Sequence, residues 1–253
     1  MRRLQSQALA FAKMNYLASI TDFFKSPKWT MNLLLGGVCA LIPFIGQIVL
    51  KGWLITGFWG RDDDRYENFP DFDFSQFGKY LERGIWPFLV TLVTSLALGM
   101  VCAFCIMPLS MITTMASAGS HDNSCIGAFM FLIMMFCYFI VAAAIACILT
   151  PLILRASLTQ DFGQAFNFPF VKRFLTLMWK EIVISSLFLV VTSVILAGLG
   201  LVVFCVGVYF ATVLIYFSWM HLQKQLYRIY LSRGGEPVPV SPKLRDSAPP
   251  VAT

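Results

Sequence analysis

The stretch GIWPFLVTLVTSLALGMVCAFCIMPLSMI occupies residues 84–112, and the stretch IGAFMFLIMMFCYFIVAAAIACILTPLIL occupies residues 126–154. Neither stretch contains Asp, Glu, Lys or Arg. Each exceeds the roughly 20 apolar residues that a helix needs to cross the hydrocarbon core of a bilayer. Because a helix satisfies its own backbone hydrogen bonds, such stretches are typical of membrane-spanning helices. These two segments therefore predict a membrane protein.

The composition of the whole chain agrees with that prediction. Of 253 residues, 58% are hydrophobic and 13% are charged, whereas soluble domains carry about 25% charged residues. The net charge of +6 could indicate either nucleic acid or an anionic membrane surface as a partner. The hydropathy favours the membrane, and no zinc-finger spacing or other nucleic-acid motif is present. We therefore expect the lipid bilayer, and no nucleic acid, as a partner.

Two further apolar regions flank the central pair. Residues 29–60 are interrupted by Pro43 and Gly46, which predict a hairpin of two short helices because proline removes a backbone donor. A single kinked span or a re-entrant segment remains possible there. Residues 182–221 are too long for one helix, about 60 Å, so two segments are predicted, 182–198 and 201–221, with a break near Ala197–Gly200. The expected fold is an all-α, polytopic membrane helical bundle with five to six membrane segments within residues 29–221.

The polar segments between and beyond these regions are amphipathic or basic. The predicted elements are a cytosolic amphipathic segment at 1–28, interfacial helices at about 72–83 and 161–180, and a basic, then disordered tail at 222–253.

The distribution of Lys and Arg predicts the orientation. The loop at 113–125 has neither residue, whereas the other polar segments are basic, so the positive-inside rule places both termini in the cytoplasm of a cell-membrane protein. This topology requires an even number of crossings within 29–60. The alternative is one kinked span there, with the N-terminus outside.

An internal repeat is visible at two of the polar segments. One copy is Phe72-Asp73-Phe74 followed by Lys79-Tyr80-Leu81, and the other is Phe166-Asn167-Phe168 followed by Arg173-Phe174-Leu175. The spacing is identical, which suggests duplication of an amphipathic helix followed by two spans. We expect Asp73 and Asn167 to cap helices and the flanking Phe side chains to lie in the membrane interface. Similar composition without duplication is the alternative.

Several of these motifs resemble a known family. They are PFIGQIVLKGW at 43–53, FPDF at 69–72, QFGKY at 76–80, DFGQAF at 161–166 and CVGV at 205–208. The chain resembles the membrane-protein family catalogued as domain of unknown function 4013, over roughly residues 20–230. The acidic run Asp62-Asp63-Asp64 departs from that pattern. The family has no established activity, so the resemblance supports the fold more than the function.

The candidate polar membrane site consists of Gln47 and Lys51, one helical turn apart. Lys51 is the only formal charge within 29–60, and a charge at membrane depth indicates function by default. In the alternative interpretation, the Lys51 amine extends to the headgroups. The chain has no phosphate loop, nucleophile motif or clustered catalytic residues, and the CxxC of Cys102 and Cys105 has no second pair. We therefore predict no catalytic residues, metal or cofactor.

Three functions are compatible with these patterns. The first is a non-enzymatic scaffold or accessory subunit of a membrane assembly, bound to other membrane proteins or to itself. The second is a transporter or channel-like protein built from the repeat, although its membrane segments contain few polar residues. The third is a membrane-embedded enzyme, which the absence of clustered catalytic residues makes the weakest of the three.

Overall fold

The computed structural model describes residues 14–61, 63, 65–118, 124–202 and 206–245, and every regular element in these ranges is helical. This confirms the predicted all-α class. In chain order the α-helices are α1 (Ala18–Thr21), α2 (Trp29–Ala40), α3 (Ile45–Trp59), α4 (Phe77–Ala118), α5 (Ser124–Thr159), α6 (Phe162–Ala165), α7 (Phe168–Val202), α8 (Gly207–Ser232) and α9 (Pro242–Arg245). Short 3₁₀ turns occupy Asp22–Lys25, Tyr66–Asn68 and Phe74–Gln76.

Three helical stretches of the described chain are long and apolar enough to cross a membrane: Phe74–Met100, Leu132–Thr159 and Phe168–Val202. Helix α2 is apolar but shorter. The predicted total of five to six membrane segments therefore stays a prediction beyond these three.

The region 29–60 forms two helices, as the hairpin prediction expected. Helix α2 ends at Ala40 and α3 begins at Ile45, with Pro43 in the connection. Phe44 adopts a left-handed φ of 59°, which turns the chain sharply. Gly46 permits the close return, because a Cβ at that position would lie 1.9 Å from the carbonyl oxygen of Cys39. The break thus depends on both predicted residues.

The interfacial helices predicted at 72–83 and 161–180 are not separate elements. Helix α4 runs without interruption from Phe77 into the apolar stretch, and α7 does the same from Phe168. Pro169 is compatible with the start of α7, since the first turn of a helix has no internal acceptors for its N–H groups. Each amphipathic segment therefore begins with one short element, the turn Phe74–Gln76 or α6, and continues as the first part of a long helix.

The break predicted near Ala197–Gly200 is also displaced. Helix α7 continues to Val202, and α8 begins at Gly207. Gly200 has a packing role instead of a breaking role: a Cβ there would lie 2.7 Å from the backbone carbonyl carbon of Gly207. The two glycines allow the backbones of α7 and α8 to approach closely.

The long helices form three hairpins, α2–α3, α4–α5 and α7–α8. The open ends of these hairpins pack together at one end of the bundle, which we call the packed end. It consists of the C-terminal parts of α3, α5 and α8, the N-terminal parts of α4 and α7, and the segments 14–28, 61–76 and 233–245. Its core is aromatic, including Trp53, Phe58, Phe174, Phe217 and Tyr230, all at most 1% exposed. The polar segments therefore all meet at the same end.

The tail predicted as disordered is ordered and packed as far as Arg245. Val238 and Leu244 are buried, and the amide of Ser241 donates to the carbonyl of Leu158 on α5. The Tyr227 hydroxyl accepts from the amide of Val238 at 2.8 Å. Residues 246–253 lie outside the described part of the chain. The Pro-rich composition was misleading because proline also suits an extended chain packed on a surface.

Away from the packed end, the helices expose large apolar side chains. Examples are Leu96 on α4, Phe136 on α5 and Val194 on α7, each 59% exposed or more. A surface of this kind requires an apolar surrounding, because soluble monomers rarely expose large apolar patches.

Candidate functional site

Lys51 lies midway along α3 and is buried inside the bundle, with 8% of its surface exposed. Its neighbours Leu50, Trp53, Leu54 and Ile55 are also buried, so α3 is enclosed over this stretch. The amine does not extend to the surface. Lys51 Nζ lies 5.7–5.8 Å from the ring centroids of Phe88, Tyr216 and Trp219, which come from α4 and α8.

The three rings form an aromatic cage for the Lys51 cation. Each ring presents its negative face to the ammonium group, an interaction of about 0.5–2 kcal/mol. Within the described chain, no Asp or Glu pairs with Lys51. Burying an unpaired charge costs several kcal/mol, so the rings offset that cost only in part.

A cavity of about 390 Å³ adjoins this cage. Five helices, α3, α4, α5, α7 and α8, contribute its described lining: Lys51, Thr91, Ile153, Leu189, Val190, Ser193, Val194, Ile215, Tyr216 and Trp219. The lining is mainly aliphatic and aromatic, with hydroxyl groups from Thr91, Ser193 and Tyr216. The cavity therefore combines one buried cation with apolar walls.

Gln47 does not take part in this cavity. It is exposed near the start of α3, and it is not among the described residues that line the space beside Lys51. The structure thus does not bring the two predicted polar residues into one cleft.

A second, small cavity of about 20 Å³ lies next to the first, and Leu189 and Trp219 line both. Gln223 on α8 and Ser185 on α7 line the small cavity. The Gln223 amide has no hydrogen-bond partner among the described residues. A cavity of this volume with two or more polar groups fits one ordered water molecule but no larger solute.

A buried pair that sequence reasoning missed joins the N-terminal segment 14–28 to α8. Nε2 of His221 on α8 lies 3.0 Å from Oδ2 of Asp22, and both residues are buried. Gln225 Nε2 lies 2.8 Å from Nδ1 of the same ring. If the Gln225 amide donates to Nδ1, the network assigns the proton to Nε2, which then donates to Asp22. Lys25 Nζ approaches the other carboxylate oxygen to 2.7 Å.

Asp22 carries a negative charge in this setting. Burial alone raises the pKa of its carboxyl group, but the hydrogen bond to His221 and the contact with Lys25 outweigh burial and hold the pKa below its usual value. Two more contacts parallel the pair: the hydroxyls of Ser19 and Ser218 lie 2.8 Å apart, and the Asn15 amide donates to Gln225 Oε1. Only the three-dimensional pairing reveals these contacts, since their partners are about 200 residues apart.

The repeated Phe-Asp/Asn-Phe element caps helical turns, as predicted. The Asp73 side chain accepts from the amide of Ser75 at 2.8 Å, and Asn167 accepts from the amide of Phe170 at 2.9 Å. The flanking rings differ from the prediction. Phe72 packs in the core beside Trp53 and Tyr80 at 3% exposure, and Phe166 packs against Phe162. Phe74 and Phe168 are exposed.

Groups suited to acid–base or metal chemistry are sparse in the described chain. No cluster of three or more His, Cys, Asp or Glu side chains suited to a metal ion occurs among the described residues. His121 and Asp122 lie outside the described ranges. The Asp22–His221 pair lies within the core and ties an N-terminal segment to α8, which is a structural arrangement.

Taken together, the hairpins and the exposed apolar faces define an all-helical protein whose longest helices can span a membrane. The chain belongs to the family described as protein of unknown function (DUF4013), whose model matches residues 35–206. This match confirms the resemblance found in the sequence motifs. Searches of curated proteins and of solved structures find no significant match.

Proposed function

We propose that the chain is a multi-pass integral membrane protein that acts as a non-enzymatic scaffold or accessory subunit of a membrane assembly. Its packed end lies in the cytoplasm, and its apolar helices contact lipid and a partner membrane protein. The observation that supports this proposal most directly is that α5 exposes large apolar side chains on opposite faces.

Over residues 132–140, the side chains of α5 are exposed or half-buried, and none is buried by the rest of the described chain. Phe136 and Tyr138 are 67% and 63% exposed, although they point about 200° apart around the helix. None of the most apolar window of this helix is buried. A helix that is bare on opposite faces, and rich in Phe and Met, has room to pack against another membrane helix.

The cytoplasmic location of the packed end rests on the distribution of basic residues. Lys25, Lys28, Lys79, Lys172 and Arg233 all belong to this end. The positive-inside rule assigns such an end to the cytoplasm.

The transport alternative has less support. A solute pathway normally presents polar groups through the membrane. The cavity beside Lys51 is mainly apolar and does not reach Gln47. The small cavity beside Gln223 has room for no more than one water molecule.

Photocrosslinking in native membranes tests the scaffold proposal. p-Benzoylphenylalanine replaces Phe129, Phe136 or Tyr138 on α5, and Leu187 on α7 serves as an exposed apolar control position. Phe129 and Phe136 lie on one face of α5, and Tyr138 lies on the opposite face. We expect one protein adduct of constant mass from the positions on one of these faces, but not from Leu187. Adducts with lipid alone at all three α5 positions, together with purification of the protein by itself, would contradict the proposal.

Labelling tests the orientation separately. Glu67, exposed at the packed end, is replaced by cysteine in a cysteine-free variant. A membrane-impermeant maleimide is expected to label it in inside-out vesicles and not in sealed right-side-out vesicles. The reverse pattern would place the packed end outside.

A further inference from the structure

We propose that the cavity beside Lys51 binds an anionic acyl lipid. The carboxylate or phosphate of the lipid pairs with Lys51 Nζ, and its acyl chain lies against α7 and α8. This inference goes beyond a scaffold role, since it assigns a ligand class to a defined site.

The charge of Lys51 is the first argument. More than nine-tenths of this residue is buried, and no carboxylate of the described chain pairs with it. The aromatic cage of Phe88, Tyr216 and Trp219 favours a cation but supplies no counter-charge. Tyr216 and Trp219 line both the cage and the cavity, so a ligand in the cavity lies next to the ammonium group.

The polar atoms of the cavity suit an anionic headgroup. Besides Lys51, three of the residues that line the cavity carry hydroxyl groups: Thr91, Ser193 and Tyr216. Hydroxyl groups and an ammonium group donate hydrogen bonds to carboxylate or phosphate oxygens, and bonds to charged groups are about twice as strong as neutral ones. A zwitterionic headgroup would bring its own cation close to Lys51.

The remaining lining suits an acyl chain. Ile153, Leu189 and Ile215 form apolar walls, and Val190 and Val194 are more than half exposed at the edge of the cavity. The cavity therefore opens sideways onto the apolar surface of α7, where the hydrocarbon of a bilayer lies. Its volume of about 390 Å³ falls within the range of sites for small organic ligands. A small inorganic anion would leave these walls without a partner.

The test measures lipid binding by native mass spectrometry of the delipidated full-length protein. The probes are phosphatidylglycerol, phosphatidylcholine with the same acyl chains, and oleate. We expect the wild type to bind phosphatidylglycerol at least tenfold more tightly than phosphatidylcholine. Lys51→Met is expected to lose this preference, and Lys51→Arg is expected to keep it. Lys180→Met, which removes an exposed lysine on α7, is the matched control and is expected to keep it.

A second variant tests the acyl groove without altering the charge. Val194→Trp changes an exposed residue at the edge of the cavity, so the fold does not depend on it. We expect it to weaken phosphatidylglycerol binding severalfold. Competition by oleate would identify a free fatty acid as an accepted source of the anionic headgroup, whereas failure to compete would assign the site to phospholipid.

Two results would overturn the proposal. One is equal binding of phosphatidylglycerol and phosphatidylcholine by the wild type. The other is an unchanged preference in Lys51→Met or an unchanged affinity for phosphatidylglycerol in Val194→Trp. If Lys51→Met does not fold, Val194→Trp decides. Neither result bears on partner binding at α5, so the two proposals fail separately.

Discussion

The Nε2 atom of His221 lies 3.0 Å from Oδ2 of Asp22, and this contact joins two residues 199 positions apart in the chain. Both side chains are buried among the rings of the packed end, with Tyr66 stacked on the imidazole at a centroid distance of 5.0 Å. The pair thus fixes the N-terminal segment against α8, and its removal should affect the stability of the packed end.

Substitution of either partner is expected to destabilise the protein. Asp22→Asn weakens the pair, and His221→Phe leaves the Asp22 carboxylate without its buried donor, at a cost of about 1–3 kcal/mol. Thermal unfolding in detergent measures this as a lower Tm. Lys25→Ala is the control: its side chain is 57% exposed, so loss of its ion pair should cost about 0–1 kcal/mol. Equal losses in all three variants would show that the buried contact has no special weight.

The same carboxylate predicts a dependence of stability on pH. The folded pKa of Asp22 is lower than its usual value of 3.8, because contacts with His221 and Lys25 outweigh burial. The unfolded chain therefore binds more protons in acid, and the stabilisation is complete above pH 3.8 and lost as the pH falls through the lower folded pKa. We expect the difference in Tm between wild type and Asp22→Asn to shrink in that window. A constant difference from neutral pH to below pH 3 would disprove the assignment.

The crossing of α3 and α4 requires two glycines. A Cβ on Gly52 would lie 1.7 Å from the carbonyl oxygen of Tyr80, and a Cβ on Gly84 would lie 1.9 Å from that of Ile48. Because backbone rather than a flexible side chain blocks the position, Gly52→Ala and Gly84→Ala should each cost about 1–3 kcal/mol or more. Thermal unfolding and the yield of monodisperse protein measure the effect.

Gly99, also on α4, provides the matched control. Apart from the backbone of α4 itself, no atom of the described residues lies within 4 Å of a Cβ at this position, so Gly99→Ala should be neutral or stabilising by up to about 1 kcal/mol. A loss of stability in Gly99→Ala equal to that in Gly84→Ala would remove the close-packing explanation.

The packing of the C-terminal segment 233–245 depends in part on the hydroxyl group of Tyr227. Tyr227→Phe removes the acceptor for the amide of Val238 and should cost about 1 kcal/mol locally. We expect faster tryptic cleavage after Lys243 and Arg245, because the segment opens more often. Tyr209→Phe on the same helix is the control, since Tyr209 is 39% exposed and its hydroxyl makes no hydrogen bond with the described residues. Equal cleavage rates in both variants would contradict the prediction.

Hydropathy and helix-breaking residues predicted much of the fold. Long runs without charge located the apolar parts of α4, α5 and α7, and Pro43 located the turn between α2 and α3. These features are local, so a single sequence reveals them. The caps at Asp73 and Asn167 were predictable for the same reason, because a capping side chain bonds to residues only two or three positions away.

Other features depend on contacts between distant segments and were missed. The glycines near residue 200 suggested a break in the helix. Instead, Gly200 lets the backbone of α7 pack closely against the backbone of α8 at Gly207. The amphipathic segments suggested separate helices because their composition changes, but α4 continues from Lys79 through Gly84 and Pro87 as one helix. At the candidate site, the sequence singled out Lys51 as the only charge within residues 29–60 but could not reveal its cage, since two of the three rings come from α8.

The contacts between residues 15–22 and 218–225 also constrain the order of biosynthesis. The ribosome makes the N-terminal segment first. The residues of α8 that this segment contacts, including Ser218 and His221, are made only after the other long helices. Until then the contacts of Asp22 with His221 and of Ser19 with Ser218 cannot form. These contacts of the packed end can therefore form only after α8 has been synthesised.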